Sequence, residues 1–418
     1  MWEAMTLSLH STPAARLLAA ALAALAATAP AATAATTVLA TDGVLRWQGR
    51  VERRADGSVA FDCAGARIDV VVSGATQVSI RVNSTFLASA PPGLVGAATG
   101  YGAASGSIDG SGGGGSGSGG GGSARALQDS SFPKFGVFRA LVDGARVFEG
   151  QDGVVVLPGE ADFVVVSGLD AAAAHNVSIV YTTDSVYNTW PDVNCPGCEM
   201  RVLSASTDGA FAPAAERTRR LFIAGDSITA ANQVTKPCNN ASDNDFTRSY
   251  AFLTCERFQA NCSVVAVSSK GLMRNCCDAL PTTVPVFATR TLMQNPASIF
   301  DWASEPPPDG VLINLGTNDG DGNPAWEAAF VDTYVAFMRN ITRWTGKHDI
   351  VFFCGVGAIT ATPLPLVERA MAAAPELTTV LVNMMGATLD GCGHPGVVGQ
   401  PQMAAIAEPI VARAMGWA

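Results

Sequence analysis

The stretch Leu221-Phe222-Ile223-Ala224-Gly225-Asp226-Ser227-Ile228-Thr229 decides the fold of the second half of this chain. Its first four residues form an apolar run typical of a buried strand. A serine that leaves such a strand through a Gly-Asp turn has its hydroxyl above the sheet, near the free amides of the next helix. Ser227 is therefore a candidate nucleophile with part of an oxyanion hole beside it. Gly-Asp-Ser also makes ordinary turns, so this interpretation needs support from other segments.

Four more apolar runs follow, separated by segments with helical spacing of large apolar residues. The predicted strands are Leu221–Ala224, Ser263–Val267, Val311–Leu315, Ile350–Cys354 and Thr378–Val382. The helical spacing occurs at Phe246, Tyr250 and Leu253, at Phe330, Tyr334 and Met338, and at Met403, Ile406, Ile410 and Val411. Near-continuous apolar strands alternating with helices predict a parallel sheet covered on both faces. Residues 215–418 are thus predicted to form an α/β/α sandwich.

Two further segments follow the second and third predicted strands, where open α/β sheets place their ligands. Gly271 lies in Ser269-Lys270-Gly271, and a glycine lets a backbone amide approach a substrate closely. Asn318 lies in Gly316-Thr317-Asn318-Asp319, and its side-chain amide is an uncharged donor. Gly271 could instead be a plain turn, and Asn318-Asp319-Gly320 has good turn chemistry. Three such segments at successive strand ends favour a catalytic site.

The general base must come from four histidines. His10 lies in the predicted signal peptide, and His175 lies in the β domain within a segment that carries a glycosylation sequon. His348 precedes a strand with Asp349 beside it, which favours a solvated or capping role. His394 lies between the last predicted strand and the last helix, with Pro395 after it. We predict His394 to be the base.

The N-terminal half has the pattern of an all-β sandwich or jelly roll, predicted over residues 41–200. Short runs of apolar or alternating residues are separated by residues that favour turns. The runs are Ile68 to Val72, Val78 to Val82, Val137 to Val142, Arg146 to Phe148, Val154 to Leu157, Phe163 to Val166 and Val177 to Tyr181. The Gly/Ser-rich stretch within residues 96–128 cannot bury enough apolar surface to offset its ordering entropy. It is predicted to be a disordered loop inserted in the sandwich.

The first 34 residues have the features of a secretory signal peptide. Arg16 precedes the apolar run Leu17–Ala27, and Ala32-Thr33-Ala34 offers small residues for cleavage. An organelle transit peptide is the alternative, since the segment is rich in Ser and Thr with Glu3 as its single acid. Secretion is supported by Asn-x-Ser/Thr sequons at Asn83, Asn176, Asn240, Asn261 and Asn340.

Ten cysteines form an even set suited to an oxidising compartment. Cys195-Pro-Gly-Cys198 could be half of a zinc knuckle or a redox pair, but no second such pair occurs. A structural disulfide is the better interpretation. Adjacent Cys276 and Cys277 are expected to bond to different partners.

The composition restricts the kinds of partner. With 48% hydrophobic and 15% charged residues in 418, the chain is globular and long enough for two domains. A net charge of −10 argues against nucleic acid and anionic membrane surfaces, which need a basic footprint. It leaves neutral substrates such as sugars open.

Four motifs together resemble a known family. GDSIT (225–229), SSKGLMRN (268–275), INLGTND (313–319) and GCGHP (391–395) are similar to the motif blocks of SGNH (GDSL-type) hydrolases. The β domain opens with LRWQGR (45–50) and looks like the jelly roll of carbohydrate esterase family two. The resemblance covers nearly all of the mature chain. It implies O-deacetylation of plant-type polysaccharides without a metal or organic cofactor.

The resemblance also implies roles for single residues. Ser227 is the expected nucleophile and His394 the base, with an oxyanion hole formed by the Ser227 and Gly271 amides and the Asn318 side chain. The family commonly has an aspartate three or two residues before the histidine, where this chain has Gly391 and Cys392. Asp390, four residues before His394, is the nearest acid. Either Asp390 orients the imidazole, or a backbone carbonyl does so and the site is a Ser–His dyad.

The sequence thus predicts a secreted serine esterase acting on acetylated polysaccharide or oligosaccharide, with no nucleic acid partner and no membrane association after signal cleavage. A GDSL-type lipase or small-ester hydrolase is the first alternative. A carbohydrate-binding protein whose catalytic half has degenerated is the second, because the expected aspartate is missing.

Overall fold

The computed structural model describes residues 35–86, 135–147, 153–185, 195–235, 243–276, 281–320 and 324–418. The predicted signal peptide (1–34) and the predicted Gly/Ser-rich loop (96–128) lie outside these residues. So does the sequon at Asn240.

Residues 36–213, here called the β part, form two antiparallel sheets, a six-stranded and a seven-stranded one. The first sheet has the order β10-β6-β12-β4-β3 with β1 paired to β12, and the second has β13-β5-β11-β7-β8 with β2 and β9 added. The strands are β1 Thr36–Leu39, β2 Arg46–Gln48, β3 Glu52–Arg53, β4 Val59–Phe61, β5 Arg67–Ser73, β6 Gln77–Ser84, β7 Gly136–Val142, β8 Ala145–Arg146, β9 Val154–Val156, β10 Gly159–Ser167, β11 Ala174–Tyr181, β12 Met200–Thr207 and β13 Ala210–Pro213.

Apolar residues alternate with more polar residues along these strands, as the sequence predicts, and the apolar side chains form the core between the two sheets. On β6 the inward residues Val78, Ile80 and Val82 are buried, while their neighbours along the strand are more exposed. Strand β5 differs, because Arg67 and Asp69 on its other face are also buried. Arg67 donates to Asp69 at 2.6 Å and pairs with Glu256 of the second half of the chain. The outer face of this sheet is therefore covered by the second half of the chain around Arg67 and Asp69.

Residues 220–415, here called the α/β part, contain a five-stranded parallel sheet of order β15-β14-β16-β17-β18. Its strands are β14 Arg220–Gly225, β15 Asn261–Ala266, β16 Gly310–Asn314, β17 Val351–Val356 and β18 Thr378–Asn383. The helices are α1 Ser227–Ala230, α2 Tyr250–Phe258, α3 Val284–Phe287, α4 Pro324–Thr345, α5 Leu364–Ala372 and α6 Gly399–Met415. All five predicted strands are present. In the described part of the chain, no helix has both the length and the apolarity needed to cross a bilayer.

The helix predicted from the spacing of Phe246, Tyr250 and Leu253 begins later in the structure than this spacing suggests. Phe246 lies in a short 3-10 helix, Phe246–Arg248, and not in α2. Ser249 has an extended backbone and its hydroxyl accepts the Phe252 amide, so it caps the start of α2. The apolar spacing continues through this break because both segments pack on the same core.

The β part and the α/β part share a buried polar interface. Arg50, 1% exposed, donates to the Ser263 hydroxyl at 2.9 Å and to the carbonyls of Ala288 and Arg290 at 3.2 and 3.1 Å. Its guanidinium lies 3.4 Å from the ring centroid of Phe300. Burial lowers the pKa of Arg50 to about 9. A cation buried with this many partners fixes how the two parts meet.

Several of the described cysteines form disulfides, and disulfides are typical of proteins from an oxidising compartment. Cys195 and Cys198 are bonded to each other, which confirms that prediction, and Cys255 is bonded to Cys262. Cys276 and Cys392 are also in disulfides. Cys63 and Cys354 are buried free thiols, so the even count of ten does not mean complete pairing.

Candidate active site

Ser227 is presented by the turn between β14 and α1. Asp226 precedes α1, and its carboxylate accepts the Ile228 amide at 2.9 Å, which starts the helix directly after the strand. The turn is tight enough that a Cβ at Gly225 would collide with the Thr229 hydroxyl. Ser227 is 6% exposed. The predicted strand-turn-helix around this serine is present.

His394 lies beside Ser227, although the two residues are 167 positions apart. The His394 Nε2 and Ser227 Oγ atoms are 2.8 Å apart. His394 belongs to the loop between β18 and α6, and this loop is docked onto the segment after α1 because Cys392 donates its amide to the Gln233 carbonyl at 3.3 Å. A hydroxyl and an imidazole at hydrogen-bond distance are the arrangement that a serine nucleophile and its base need.

The two candidates for orienting the His394 imidazole, the Cys392 carbonyl and the Asp390 carboxylate, make different contacts. His394 Nδ1 is 3.4 Å from the Cys392 carbonyl oxygen, a long hydrogen bond. The Asp390 carboxylate instead accepts the amides of Gly396, Val398 and Gly399 at 2.8, 2.8 and 2.9 Å. Its partial burial is outweighed by these amides, which lower the pKa of Asp390. The structure thus brings the Cys392 carbonyl to His394 and does not bring the predicted Asp390 side chain to it.

The protonation of His394 suits a base. Burial lowers the pKa of His394 below the ordinary imidazole value, and the hydrogen bond to the Cys392 carbonyl only partly opposes this. A neutral imidazole with Nδ1–H directed at a carbonyl has its Nε2 lone pair free for the serine proton.

Gly271 and Asn318 flank Ser227 because β15 and β16 are the two neighbours of β14 in the sheet. The Asn318 side-chain amide donates to the Lys270 carbonyl at 2.9 Å, which ties it to the residue before Gly271. The Gly271 amide has only a 3.4 Å contact with the Asn275 side-chain oxygen. A contact of that length is weak enough to be replaced by a substrate oxygen.

Two of the alternative histidines, His175 and His348, lie away from Ser227, and His10 lies outside the described residues. His175 Nδ1 is 2.8 Å from Asp143 in the β part. His348 precedes β17, and since the strands are parallel, it lies at the edge of the sheet opposite to Ser227. Among the described histidines, His394 is the one that the structure places within hydrogen-bond distance of Ser227.

Two carboxylates near the site were not given a role by the sequence. Asp319 accepts three amides of the loop that follows Gly271, and burial raises its pKa. Asp184, three residues after β11 of the β part, accepts the Ser268 amide at 2.9 Å. The sequence pattern around Asp319 indicates only a turn, although the position of Asp319 beside Asn318 is a usable signal. No sequence signal distinguishes Asp184, which reaches the site through packing of the two parts.

Asp226, directly before the nucleophile, is a buried acidic residue. Burial, and the nearby charge of Asp319, raise the pKa of Asp226 to about 7.

The residues that the structure describes contain no group of three or more His, Cys, Asp or Glu side chains that could hold a metal ion.

Comparison with solved structures finds the same architecture in proteins described as carbohydrate esterases. The acetyl xylan esterase Est2A from Butyrivibrio proteoclasticus has TM-score 0.69 at 14% identity, with 92% of this chain and 99% of that chain covered. A family two carbohydrate esterase from Clostridium thermocellum in complex with cellohexaose has TM-score 0.67 at 19% identity, covering 90% and 100%. A Bacteroides ovatus protein described as a GDSL-like lipase has TM-score 0.50 at 13% identity, covering 92% and 99%.

No protein-family model matches the sequence, and no curated protein matches it. The structural similarity nevertheless extends over nearly all of this chain and nearly the full length of each of the two esterases. They confirm the predicted fold, an N-terminal jelly-roll sandwich joined to a C-terminal SGNH-type α/β/α sandwich. Fold alone does not assign an activity, which must be argued from the site.

Proposed function

We propose that this protein is a serine carboxylic ester hydrolase that removes O-acetyl groups from polysaccharide of the xylan or glucomannan type. The observation that carries the proposal is the 2.8 Å contact between His394 Nε2 and Ser227 Oγ at the carboxyl end of a parallel sheet. Gly271 and Asn318, in the loops that follow the two neighbouring strands β15 and β16, supply donors where charge would develop.

The proposed mechanism has two steps. Ser227 Oγ attacks the acetyl carbon while His394 Nε2 takes its proton, and the sugar hydroxyl leaves with that proton. Water then attacks the acetyl-enzyme and gives its proton to His394, which passes that proton to Ser227 Oγ as the Oγ–acetyl bond breaks and acetate leaves. The amides of Ser227 and Gly271 and the side chain of Asn318 stabilise the oxyanion of both tetrahedral intermediates, and the Cys392 carbonyl orients the imidazole. No cofactor is needed for this chemistry.

A carbohydrate substrate is supported by the neighbours' descriptions, which include an acetyl xylan esterase and an esterase solved with cellohexaose. The chain's own net charge of −10 is compatible with a neutral polymer.

A lipase or small-ester hydrolase is the second candidate, favoured by the GDSL-like lipase whose structure covers 92% of this chain. Because this similarity extends over most of the chain, the presence of the β part does not by itself distinguish a polysaccharide esterase from a lipase. A non-catalytic carbohydrate-binding protein is less favoured, because the Ser227–His394 contact is intact.

Turnover tests these possibilities directly. The purified protein is assayed with p-nitrophenyl acetate, with a long-chain p-nitrophenyl ester, and for acetate release from acetylated xylan, glucomannan and pectin. We expect acetate release from at least one polysaccharide and a preference for the short ester. Preference for the long-chain ester would favour a lipase, and binding to immobilised glucomannan without turnover would favour the binding protein.

Secretion is part of the proposal and rests on the signal-like residues 1–34, the sequons and the disulfides at Cys195–Cys198 and Cys255–Cys262. Expression of the full chain in a eukaryotic secretory host tests it. Recovery of a shortened, glycosylated protein from the medium is expected, and retention in an organelle would favour the transit peptide.

A further inference from the structure

Asp319 follows the expected oxyanion donor Asn318, and no step of the proposed mechanism uses it. Its side chain is fully buried, at 0% exposed. Oδ2 accepts the Leu272 amide at 2.9 Å, and Oδ1 accepts the amides of Met273 and Arg274 at 2.8 and 3.1 Å. Three consecutive amides of the loop after β15 thus converge on one carboxylate.

Gly271 directly precedes these three amides and is packed against the same carboxylate. A Cβ at Gly271 would lie 2.5 Å from Asp319 Oδ2 and would also collide with the Arg274 carbonyl. On the other side of Gly271, the Asn318 side chain donates to the Lys270 carbonyl at 2.9 Å. The segment 318–319 therefore holds the loop on both sides of Gly271, with a donor before it and an acceptor after it.

We propose that Asp319 is a positioning residue that holds the Gly271 amide in place for the oxyanion, an inference that rests on the proposed esterase function. An oxyanion donor stabilises the transition state only if it is placed before the charge develops. A carboxylate is suited to this task because it is an acceptor on both oxygens. An asparagine there would turn an NH2 group toward at least one amide.

The substitution Asp319→Asn tests the proposal. We expect kcat to fall by about 10- to 100-fold, the effect of a misplaced donor, with KM changed by less than about threefold. Hydrogen exchange resolved to single amides gives a second readout that does not depend on activity. The amides of residues 272–274 should exchange at least about tenfold faster in the variant.

Asp62→Asn is the matched control. Asp62 is also a buried aspartate, and its carboxylate accepts the amides of Met293 and Gln294 at 2.8 and 2.7 Å, but it lies outside the site. We expect this variant to lose stability while kcat and KM of the folded protein stay unchanged. An equal fall of kcat in both variants would overturn the proposal, because it would reflect general loosening.

The failures of the two proposals are distinguishable. A wild-type protein without esterase turnover overturns the proposed function, whereas the exchange rates still decide whether Asp319 holds the loop. An active wild type with unchanged kcat in Asp319→Asn overturns the positioning role alone. Should Asp319→Asn not fold, exchange of the wild-type amides 272–274 decides: strong protection supports the proposal, and rates typical of unstructured chain overturn it.

Discussion

At the scale of single residues, the chemistry depends on a hydroxyl and an imidazole that the chain brings to 2.8 Å of each other. Ser227 is placed by the Gly225–Asp226 turn, and His394 by a loop docked on Gln233. Ser227 is buried and His394 is partly buried, but neither belongs to a hydrophobic core cluster, so we expect their replacement to have little effect on folding.

Replacing Ser227 by alanine is expected to abolish esterase activity and leave the fold intact. Loss of the nucleophile removes the covalent route, which costs on the order of 10⁶-fold in a serine-protease series. The measurement is turnover of p-nitrophenyl acetate, with circular dichroism to confirm folding and Ser304→Ala, at an exposed turn, as control. A Ser227→Ala enzyme that keeps more than about a few per cent of activity would show another residue to be the nucleophile.

The pH dependence of kcat/KM should report the titration of His394. Because burial lowers the pKa of His394, the neutral base persists to lower pH, and the acidic limb should lie below the ordinary imidazole value of about 6.5. Activity is therefore expected to be lost as the pH falls through that limb and to be level above it. His394→Ala should remove activity, whereas His348→Ala should leave the limb in place. The reverse result would assign the base to His348.

At the scale of elements, the turn between β18 and α6 differs from what the family resemblance implies. Asp390 accepts three amides at the entrance of α6, so its side chain stabilises the turn that carries His394. The Cys392 carbonyl faces the imidazole instead. Which of two nearby groups reaches a ring depends on the path of the loop, and spacing in sequence does not determine that path.

Asp390→Asn is expected to lower kcat by less than about tenfold, well below the roughly 10⁴-fold cost of replacing a triad aspartate. The loss of one acceptor for a backbone amide should lower the free energy of unfolding by about 1–2 kcal/mol. Kinetics at saturating substrate and urea denaturation measure the two effects. A thousandfold fall in kcat with the fold retained would make Asp390 a triad member.

At the scale of the whole molecule, the β part and the α/β part are joined by buried polar contacts. Arg50 spans the interface with hydrogen bonds to Ser263, Ala288 and Arg290. The Asp62 carboxylate accepts two amides of the α/β part, and burial raises the pKa of Asp62 to about 7. Such contacts are directional, so they specify one arrangement of the two parts.

Arg50→Met should destabilise the protein by about 3 kcal/mol, because the Ala288 and Arg290 carbonyls lose a charged donor in a buried site. Urea denaturation measures the change. Arg46→Met, at an exposed position of β2, is the control and is expected to have little effect. Equal stability of the two variants would show that Arg50 does not hold the interface together.

By itself, the sequence determined the five strands of the α/β part and the presence of α2, α4 and α6, because apolar runs and helical spacing are local features, although α2 begins later than predicted. It also determined which residues follow strand ends, and hence the predicted set of Ser227, Gly271, Asn318 and His394.

Only the tertiary structure decided which group meets the His394 ring, why Arg67 and Asp69 are buried on the outer face of a sheet, and what the Asp319 carboxylate binds. Each of these contacts requires segments distant in sequence to pack against one another. Their outcome depends on the packing of several elements at once, which local patterns of residues do not contain.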